Sequence, residues 1–180
     1  GELFVMDDGW FGVKYPRKVD NSSLGDWEVD KNKLPEGIEG LIRDAKKHCI
    51  KFGIWIEPEM ANTVSELYEA HPDWIVKAPK REPVLGRGGT QVVLDMSNPK
   101  VQDFVFSIVD NLMTKYPEID YIKWDANMAI MNHGSQYLTM NDQSHLYIEY
   151  HRGFQKTCER IRAKYPDLTI QACASGCGRA

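Results

Sequence analysis

Short β-branched and aromatic runs alternate with longer segments of helical periodicity along this chain, and this alternation limits the possible folds more than any other feature. Five runs predict strands, at residues 2–8, 51–60, 90–96, 120–127 and 168–175. The four segments between them carry apolar residues at spacings of three and four, which is typical of amphipathic helices. Alternating strands and helices are typical of βαβ units. The sequence therefore predicts an α/β fold with a parallel sheet.

The helix after the third predicted strand has the most regular pattern. Asn98 can cap a helix that has Pro99 at its first position, which is a favoured combination at helix starts. Thr63 and Glu66 form a capping-box pattern that predicts the start of a second helix. The apolar stripe of the first of these helices consists of Val101, Phe104, Val105, Ile108, Val109, Leu112 and Met113.

Two architectures contain such a parallel sheet: an open doubly wound sheet and a closed (β/α)8 barrel. Polar residues follow the carboxyl ends of all five predicted strands, whereas an open sheet concentrates its site at one switch point. This distribution favours the barrel. A complete (β/α)8 (TIM) barrel needs about 250 residues, so 180 residues predict an incomplete barrel with about five strands and four helices. We predict one partial catalytic domain, residues 1–180, truncated at both ends from a longer chain.

The composition argues against several classes of protein. The formal net charge is −4 and no Lys/Arg-rich run occurs, so we do not expect binding to nucleic acid. No apolar run approaches the roughly 18 residues that a membrane span needs, so we expect no membrane segment. The five histidines and four cysteines form no ligand motif, and we predict neither a metal nor another cofactor.

The first predicted strand ends in two acids beside a tryptophan. Asp7 and Asp8 precede a Gly-Trp-Phe turn, in which we expect Trp10 to be exposed. Asp-Gly is ordinary turn chemistry. The same residues also suit a sugar, because carboxylates accept hydrogen bonds from paired hydroxyls while an indole covers the apolar face of the ring.

The next two predicted strands contribute three further acids. Alternation predicts that Glu57 and Glu59 share one side of the strand with Trp55, and we expect both acids to have hydrogen-bonding roles more than catalytic ones. Asp95 precedes the helix that begins near Asn98. For Asp95, a turn or capping role is favoured over chemistry.

The run YIKWDAN, residues 121–127, contains the strongest catalytic candidate. Lys123 and Asp125 fall on one face of a strand, and a barrel interior would not hold both unless they were paired or bound a ligand. One interpretation is a structural ion pair. The other, which we favour, is that Lys123 keeps Asp125 ionised within reach of a substrate cupped by tryptophans. Such a carboxylate can act as a nucleophile in glycosyl transfer.

On these motifs the chain resembles the α-galactosidases of glycoside hydrolase family 36. The resemblance implies a (β/α)8 catalytic barrel and a retaining hydrolysis of terminal α-linked galactose, from oligosaccharides such as melibiose and raffinose. It also implies that the full-length protein is a homo-oligomer such as a tetramer, with the cytoplasm favoured for a bacterial-type member. The matching segments are DDGWFG (7–12), LGDWEVDKNKLPEGI (24–38), FGIWIEPEM (52–60), VVLDMSNP (92–99), YIKWDAN (121–127) and CASGCGR (173–179).

The resemblance also implies roles for individual residues. Asp125 matches the nucleophile, Lys123 matches a ligand of the ring hydroxyls, and Asp7 and Asp8 match the acids that hold the 4- and 6-hydroxyls. The family's acid/base aspartate is expected beyond Ala180, so the fragment alone is expected to be inactive. The other predicted substrate-binding residues are Trp10, Trp55, Arg87, Asn127, Cys173, Ser175 and Gly176.

Other functions remain compatible with the same residues. Removal of α-N-acetylgalactosamine and galactosyl transfer of the raffinose or stachyose type belong to the same class of chemistry. A magnesium-dependent barrel enzyme would use Glu59, Asp95 and Asp125 as metal ligands. A galactoside-binding or assembly module would keep the pocket without the chemistry, but the presence of both Lys123 and Asp125 counts against it.

Overall fold

A four-stranded parallel sheet forms the centre of the computed structural model, which describes residues 1–131 and 133–174. The strand order in this sheet is first, second, fifth and sixth along the chain, and the third and fourth strands form a separate antiparallel pair. The predicted α/β fold with a parallel sheet is confirmed. The strands are β1 (Leu3–Met6), β2 (Lys51–Ile56), β3 (Met60–Asn62), β4 (Gln91–Val93), β5 (Ile119–Trp124) and β6 (Thr169–Ala172), and the α-helices are α1 (Gly37–Lys47), α2 (Glu66–Ala70), α3 (Pro99–Lys115) and α4 (Leu146–Lys164).

The predicted strand at residues 90–96 is extended, but the prediction that it joins the parallel sheet is wrong. β4 pairs antiparallel with β3, and β2 pairs directly with β5. In the described part of the chain, the parallel sheet therefore has four of the five expected strands. Apolar alternation predicts an extended segment and its buried face, but it carries no information about which strand becomes the partner.

The register of the parallel sheet aligns the carboxyl ends of its strands. Met6 of β1 pairs with Ile54 of β2, one residue before Trp55 pairs with Lys123 of β5. Lys123 in turn pairs with Gln171 of β6. Because all four strands run in the same direction, the segments that follow them meet along one edge of the sheet.

The helix starts follow the sequence signals with one exception. The Asn98 side chain accepts a hydrogen bond from the amide of Lys100, and Pro99 begins α3, as predicted. In α2 the cap is Ser65, whose hydroxyl accepts from the Tyr68 amide, so the capping-box prediction was placed two residues early. The predicted stripe of α3 is confirmed by the buried residues Val101, Val105, Ile108, Val109 and Leu112.

One face of the parallel sheet is covered by helix, and the buried side chains on this face hold the strands in place. Ile54, Ile56, Ile122 and Trp124 are all buried, and the Trp124 ring meets the ring of Phe154 on α4 edge-on, with centroids 5.8 Å apart. Each such side chain contributes about 1.5–3 kcal/mol when fully buried. The opposite face is therefore left to the side chains that alternate with these, among them Trp55 and Lys123.

The strands β2 and β5 approach each other closely at Gly53. A Cβ on this residue would lie 3.0 Å from the Cβ of Tyr121, and the register shifts between Phe52 and Gly53. A side chain here would require Tyr121 to shift by a few tenths of an ångström, so glycine suits the close approach of the two central strands. None of the helices in the described ranges has the length and hydropathy of a transmembrane segment.

Candidate active site

Asp125 lies directly after β5, at the edge where the parallel strands end. Its backbone N–H donates to the Ile56 carbonyl over 2.8 Å, which extends the β2–β5 pairing by one residue. The residue is only 7% exposed. Its carboxylate accepts hydrogen bonds from Trp55 Nε1 at 3.2 Å, Asn127 Nδ2 at 2.9 Å and the Ala126 amide at 3.0 Å. These donors fix the orientation of the carboxylate.

The same donors keep Asp125 ionised. Burial alone would raise the pKa of this carboxyl, but hydrogen bonds from Asn127, Trp55, the Ala126 amide and the Cys173 thiol outweigh it and hold the pKa below its usual range. Hydrogen bonds to the charged form of an acid lower its pKa in this way. A desolvated carboxylate that is held by neutral donors keeps its full negative charge, which a nucleophile requires.

Lys123 forms its ion pair with Asp7 and not with Asp125. The Nζ–Oδ2 distance is 3.1 Å, and the Asp7 side chain is 64% exposed. The hydrogen bond to Asp7 raises the pKa of Lys123, although partial burial opposes it. The expectation that Lys123 keeps Asp125 ionised is corrected in part. The negative charge of Asp125 does act on Lys123, but the closer acid is Asp7, the residue that follows β1.

Asp8 is held by an arginine that the sequence did not single out. Arg17 Nε and Nη2 donate to the two carboxylate oxygens of Asp8 at 3.0 and 2.7 Å, and the Arg17 side chain is only 3% exposed. Arg17 Nη1 also donates to the Ser22 carbonyl at 2.9 Å and to Asn62 Oδ1 at 3.3 Å. Two parallel hydrogen bonds from a planar guanidinium fix both the position and the plane of a carboxylate.

Trp10 does not face the open edge of the site. The residue is 0% exposed, and its Nε1 donates to the Trp55 carbonyl at 2.9 Å. Its ring packs against Phe11 and Trp27 with centroids 5.2 and 5.8 Å away. The prediction of an exposed Trp10 is wrong, because burying a large indole in an aromatic cluster is more favourable than leaving it on a turn. Trp10 supports the strand that carries Trp55.

Trp55 is itself buried within this cluster. Its ring stacks on Phe11 with a centroid distance of 6.2 Å, and its Nε1–H is the donor to Asp125. The contact of Trp55 with the site is therefore made through the indole edge, and its ring face is occupied by protein.

Arg87 lies on a loop beside the segment that follows Asp125. A Cβ on the preceding Gly86 would lie 2.6 Å from Met128 Sδ, so the two loops pack closely. The Arg87 side chain is 54% exposed, and its Nε pairs with Asp20 Oδ2 at 2.9 Å. Asp20 also lies 3.5 Å from Arg17 Nη2. The guanidinium of Arg87 is thus connected through Asp20 to the arginine that holds Asp8.

The remaining predicted contacts lie after β5 and β6. Asn127 is half-buried and donates to Asp125. Cys173 is also half-buried, and its amide donates to the Trp124 carbonyl at 2.7 Å, which brings its thiol to Asp125. Ser175 and Gly176 fall outside the described residues.

Asp95 has the structural role that the sequence favoured. Its carboxylate accepts from the Ser97 amide at 3.0 Å and the Ser97 hydroxyl at 2.5 Å, and it also accepts from the Ser135 hydroxyl. Asp95 is buried. It closes the turn before α3 and anchors the long loop between β5 and α4.

The three carboxylates of the magnesium hypothesis do not converge. Glu59 accepts from Trp124 Nε1 and from the Tyr150 hydroxyl, each at 2.8 Å, on the helix-covered side of the sheet. Asp95 accepts hydrogen bonds from Ser97 and Ser135. Asp125 accepts from Trp55, Asn127 and the Ala126 amide. Across residues 1–131 and 133–174, no three His, Cys, Asp or Glu side chains come together as a metal site would require. The expectation that strand alternation puts Glu57 and Glu59 on one side does not hold, because β2 ends at Ile56 and both acids lie in the turn that follows it. Glu57 accepts from the Asn127 amide, whereas Glu59 accepts from Trp124 and Tyr150.

A desolvated, ionised carboxylate at the end of a parallel strand has the properties that a nucleophile requires. The melibiase family model matches residues 1–180, the whole chain. The chain belongs to the melibiase family. The resemblance to glycoside hydrolase family 36 is confirmed by relatives and solved structures of that family.

Several relatives cover nearly all of this chain. Alpha-galactosidase 1 of Pediococcus pentosaceus is 40% identical over 178 residues, which are 99% of this chain and 24% of the relative. The alpha-galactosidase structure from Lactobacillus brevis has a TM-score of 0.91 at 43% identity, over 99% of this chain and 23% of that one. A variant of AgaA from Geobacillus stearothermophilus in complex with raffinose has a TM-score of 0.91 at 38% identity, over 99% and 24% of the two chains. The chain thus spans about a quarter of the relatives that it matches.

Proposed function

We propose that these residues are part of the catalytic domain of a retaining α-galactosidase in which Asp125 is the nucleophile. The observation that carries this proposal is the Asp125 carboxylate itself, which is buried, oriented by neutral donors and kept ionised. Relatives with 38–40% identity are named α-galactosidases. Solved structures of AgaA variants hold raffinose or stachyose, which are α-galactosides.

The proposed reaction has two steps. Asp125 attacks C1 of a terminal α-galactoside while a second carboxyl protonates the leaving oxygen, and a β-galactosyl ester of Asp125 forms. Water, deprotonated by the same second carboxyl, then cleaves the ester with retention. In retaining enzymes the two carboxyls stand about 5–5.5 Å apart. We assign the second role to an aspartate beyond Ala180, in the longer chain.

The proposed sugar contacts follow from the strand register. Asp7 and Lys123 lie at one level of the sheet edge and form a charged pair, while Asp8 is fixed by Arg17. In the proposal, Asp7, Asp8 and Lys123 bind galactose hydroxyls. The further proposed contacts or positioning groups are Trp55, Arg87, Asn127, Cys173, Ser175 and Gly176.

We further propose that the sheet is an arc of a (β/α)8 barrel. β1 and β6 are the outer strands of the four-stranded sheet, and a parallel sheet with unpaired edges is completed in such a barrel by further strands. Residues 1–180 would then be a partial catalytic domain. We expect no turnover from the purified 180-residue fragment, because it lacks both the closed barrel and the acid/base carboxyl.

The test uses the full-length chain and three 4-nitrophenyl glycosides: the α-galactoside, the α-N-acetylgalactosaminide and the α-glucoside. We expect preference for the α-galactoside, no activity in Asp125→Gly, and recovery with azide, which gives the β-galactosyl azide because the small anion replaces the carboxylate. Preference for the N-acetyl substrate would instead indicate an α-N-acetylgalactosaminidase. Galactosyl transfer to an added sugar in place of hydrolysis would indicate a transferase.

A further inference from the structure

A second buried carboxyl lies next to Asp125 and has no part in the reaction described above. Glu57 is the first residue after β2 and is only 1% exposed. Its Oε1 atom accepts from Gln91 Nε2 at 2.9 Å and from the backbone N–H of Asn127. Burying a carboxyl costs free energy unless hydrogen bonds compensate for the lost water, and these two bonds provide such compensation.

Asn127 connects Glu57 to Asp125. Its backbone N–H is bound by Glu57, and its side-chain Nδ2 donates to Asp125 Oδ2 at 2.9 Å. The position of Glu57 therefore determines where the backbone of Asn127 lies, and this backbone determines how the amide reaches Asp125. The three residues form one chain of hydrogen bonds, from the end of β2 to the end of β5.

The donor Gln91, which binds Glu57, is itself anchored on a paired strand. Gln91 is buried and begins β4, where it pairs with Asn62 of β3. Asn62 is also buried, and its side chain accepts from the Leu24 amide at 2.9 Å. A hydrogen-bond chain that is anchored on a paired strand can hold a functional group within the narrow range of positions that catalysis needs.

The surroundings of Glu57 favour its neutral form. The charged group that faces it is Asp125, while Gln91 and Asn127 are neutral, and in the described part of the chain no lysine or arginine forms an ion pair with Glu57. Burial first, and the negative charge of Asp125 in addition, raise the pKa of Glu57 to about 7, although hydrogen bonds from Asn127 and Gln91 oppose the shift. A second buried negative charge beside Asp125 would be costly.

We propose that Glu57 is a positioning residue that orients the Asp125 carboxylate through Asn127. This inference rests on the proposed function, since it gives Asp125 the role of nucleophile. It adds a residue that does not touch the sugar but sets the geometry of the group that does.

The first test compares two variants of the full-length enzyme at about pH 6. Glu57→Gln keeps a neutral acceptor of the same shape, so kcat stays within about threefold of wild type. Glu57→Leu removes the acceptor and leaves the Asn127 amide unbound, so kcat falls about tenfold or more while KM for the α-galactoside changes little. A kcat for Glu57→Leu equal to that of wild type would overturn the positioning role.

A double-mutant cycle tests the route through Asn127. Asn127→Ala removes the donor to Asp125, so we expect it to lower kcat and to make the added Glu57→Leu change nearly without effect. Fully additive losses would overturn the route. If Glu57→Leu does not fold, Gln91→Met removes one donor and leaves Glu57 in place. We expect Gln91→Met to lower kcat several-fold, and an unchanged kcat in that variant would count against the proposal in the same way.

The protonation state is tested by thermal unfolding as a function of pH. The folded protein keeps a proton on Glu57 up to about pH 7, whereas the unfolded chain releases it near pH 4.3. Stability must therefore fall as pH rises through this window and reach its full loss above the folded pKa. We expect Glu57→Gln to become more stable relative to wild type between about pH 5 and 8. If the stability difference between Glu57→Gln and wild type does not change with pH, Glu57 is not neutral in the folded protein.

The two proposals fail in different ways. An enzyme that acts on no α-galactoside, whatever residue stands at position 57, contradicts the proposed function, and the unfolding experiment still reports the charge state of Glu57. An active wild type with an unaffected Glu57→Leu contradicts only the role of Glu57.

Discussion

The carboxylate at the end of β5 and the two acids at the end of β1 are held in opposite ways. Asp125 is buried and surrounded by neutral donors, an indole, an amide side chain and a backbone N–H. Asp7 and Asp8 are more exposed and are each paired with a cation, Lys123 and Arg17. The two regions lie along one sheet edge, yet their electrostatics differ.

This difference bears on what each region can do. Neutral donors bind Asp125 without a direct ion pair, so its carboxylate can attack an electrophilic carbon and stabilise a positively charged transition state. A paired cation cancels the charge of a neighbouring acid, so Asp7 and Asp8 can accept hydrogen bonds from hydroxyls without adding negative charge to the site. In the proposed enzyme, one region performs the chemistry and the other orients the sugar.

The largest effect is expected from removing the charge of Asp125. Asp125→Asn keeps the shape and abolishes the nucleophile, so kcat/KM for an α-galactoside falls by roughly 10³-fold or more. Asp120 on the same strand is a matched control, because it is exposed and, among the described residues, its carboxylate accepts a long bond of 3.3 Å from the Phe52 amide. Asp120→Asn should keep near-wild-type rates. Equal losses in the two variants would contradict the comparison.

The next effect is expected at Arg17. Arg17→Met removes both hydrogen bonds to Asp8, and a bond to a charged group contributes about 1.5–3 kcal/mol, so KM should rise roughly 10- to 100-fold with a smaller change in kcat. Arg17→Lys keeps the positive charge but not the two parallel N–H donors of the guanidinium. Its KM should therefore lie between the values of wild type and Arg17→Met.

Arg152 provides the control for this substitution. Its side chain is 70% exposed and pairs with Glu149 on the same helix, so Arg152→Met should leave KM unchanged. An unchanged KM in Arg17→Met, measured with the same substrate, would show that Asp8 does not need its arginine.

A smaller effect is expected on the acid side of the pH profile. Trp55 Nε1–H is one of the donors that lower the pKa of Asp125, and Trp55→Phe removes it. The pKa of Asp125 should rise, and because only the ionised carboxylate attacks, the acid limb of kcat/KM should move to higher pH. Trp74→Phe, at a ring that stacks on His71, should leave the limb in place. If the acid limb of kcat/KM does not move in Trp55→Phe, the indole N–H does not lower the pKa of Asp125.

The smallest effect concerns stability at the exposed pair. Lys123→Met breaks the ion pair with Asp7, but such partly exposed pairs contribute about 1 kcal/mol or less. The melting temperature should therefore change little, while KM for the α-galactoside rises because a sugar ligand is lost. A large drop in melting temperature would mean that the Lys123–Asp7 pair has a structural role, which would contradict the assignment of this region to sugar binding.

Local signals in the sequence predicted what local forces decide. Asn98 and Pro99 begin α3 because capping acts within one turn, and Asp125 was identified because a charge at the end of an apolar strand is unusual. The family can also be inferred from the sequence, because the motifs that carry the resemblance extend along the whole chain.

Features that depend on distant partners were missed. Arg17 holds Asp8 from nine residues away through a loop, and no periodicity marks such a residue. β4 pairs antiparallel with β3 because the chain reverses direction between residues 63 and 90, and alternation does not predict such a reversal. Trp10 was expected on the surface because its turn looked polar, but its burial is decided by Phe11 and Trp27 around it. Likewise, Lys123 forms its ion pair with Asp7, which follows the neighbouring strand β1, and not with Asp125, which follows the strand that carries Lys123.

The central claim is that Asp125 forms the covalent bond to the sugar, and trapping that bond tests it most directly. 5-Fluoro-α-galactosyl fluoride reacts with retaining enzymes because its leaving group departs readily, while the ring fluorine slows hydrolysis of the ester by destabilising the cationic transition state. The full-length enzyme would be inactivated, digested and analysed by tandem mass spectrometry. The account predicts one fluorogalactosyl group on Asp125 and no labelling in Asp125→Asn. A stable label on another carboxylate, such as Glu57 or Asp7, would contradict it.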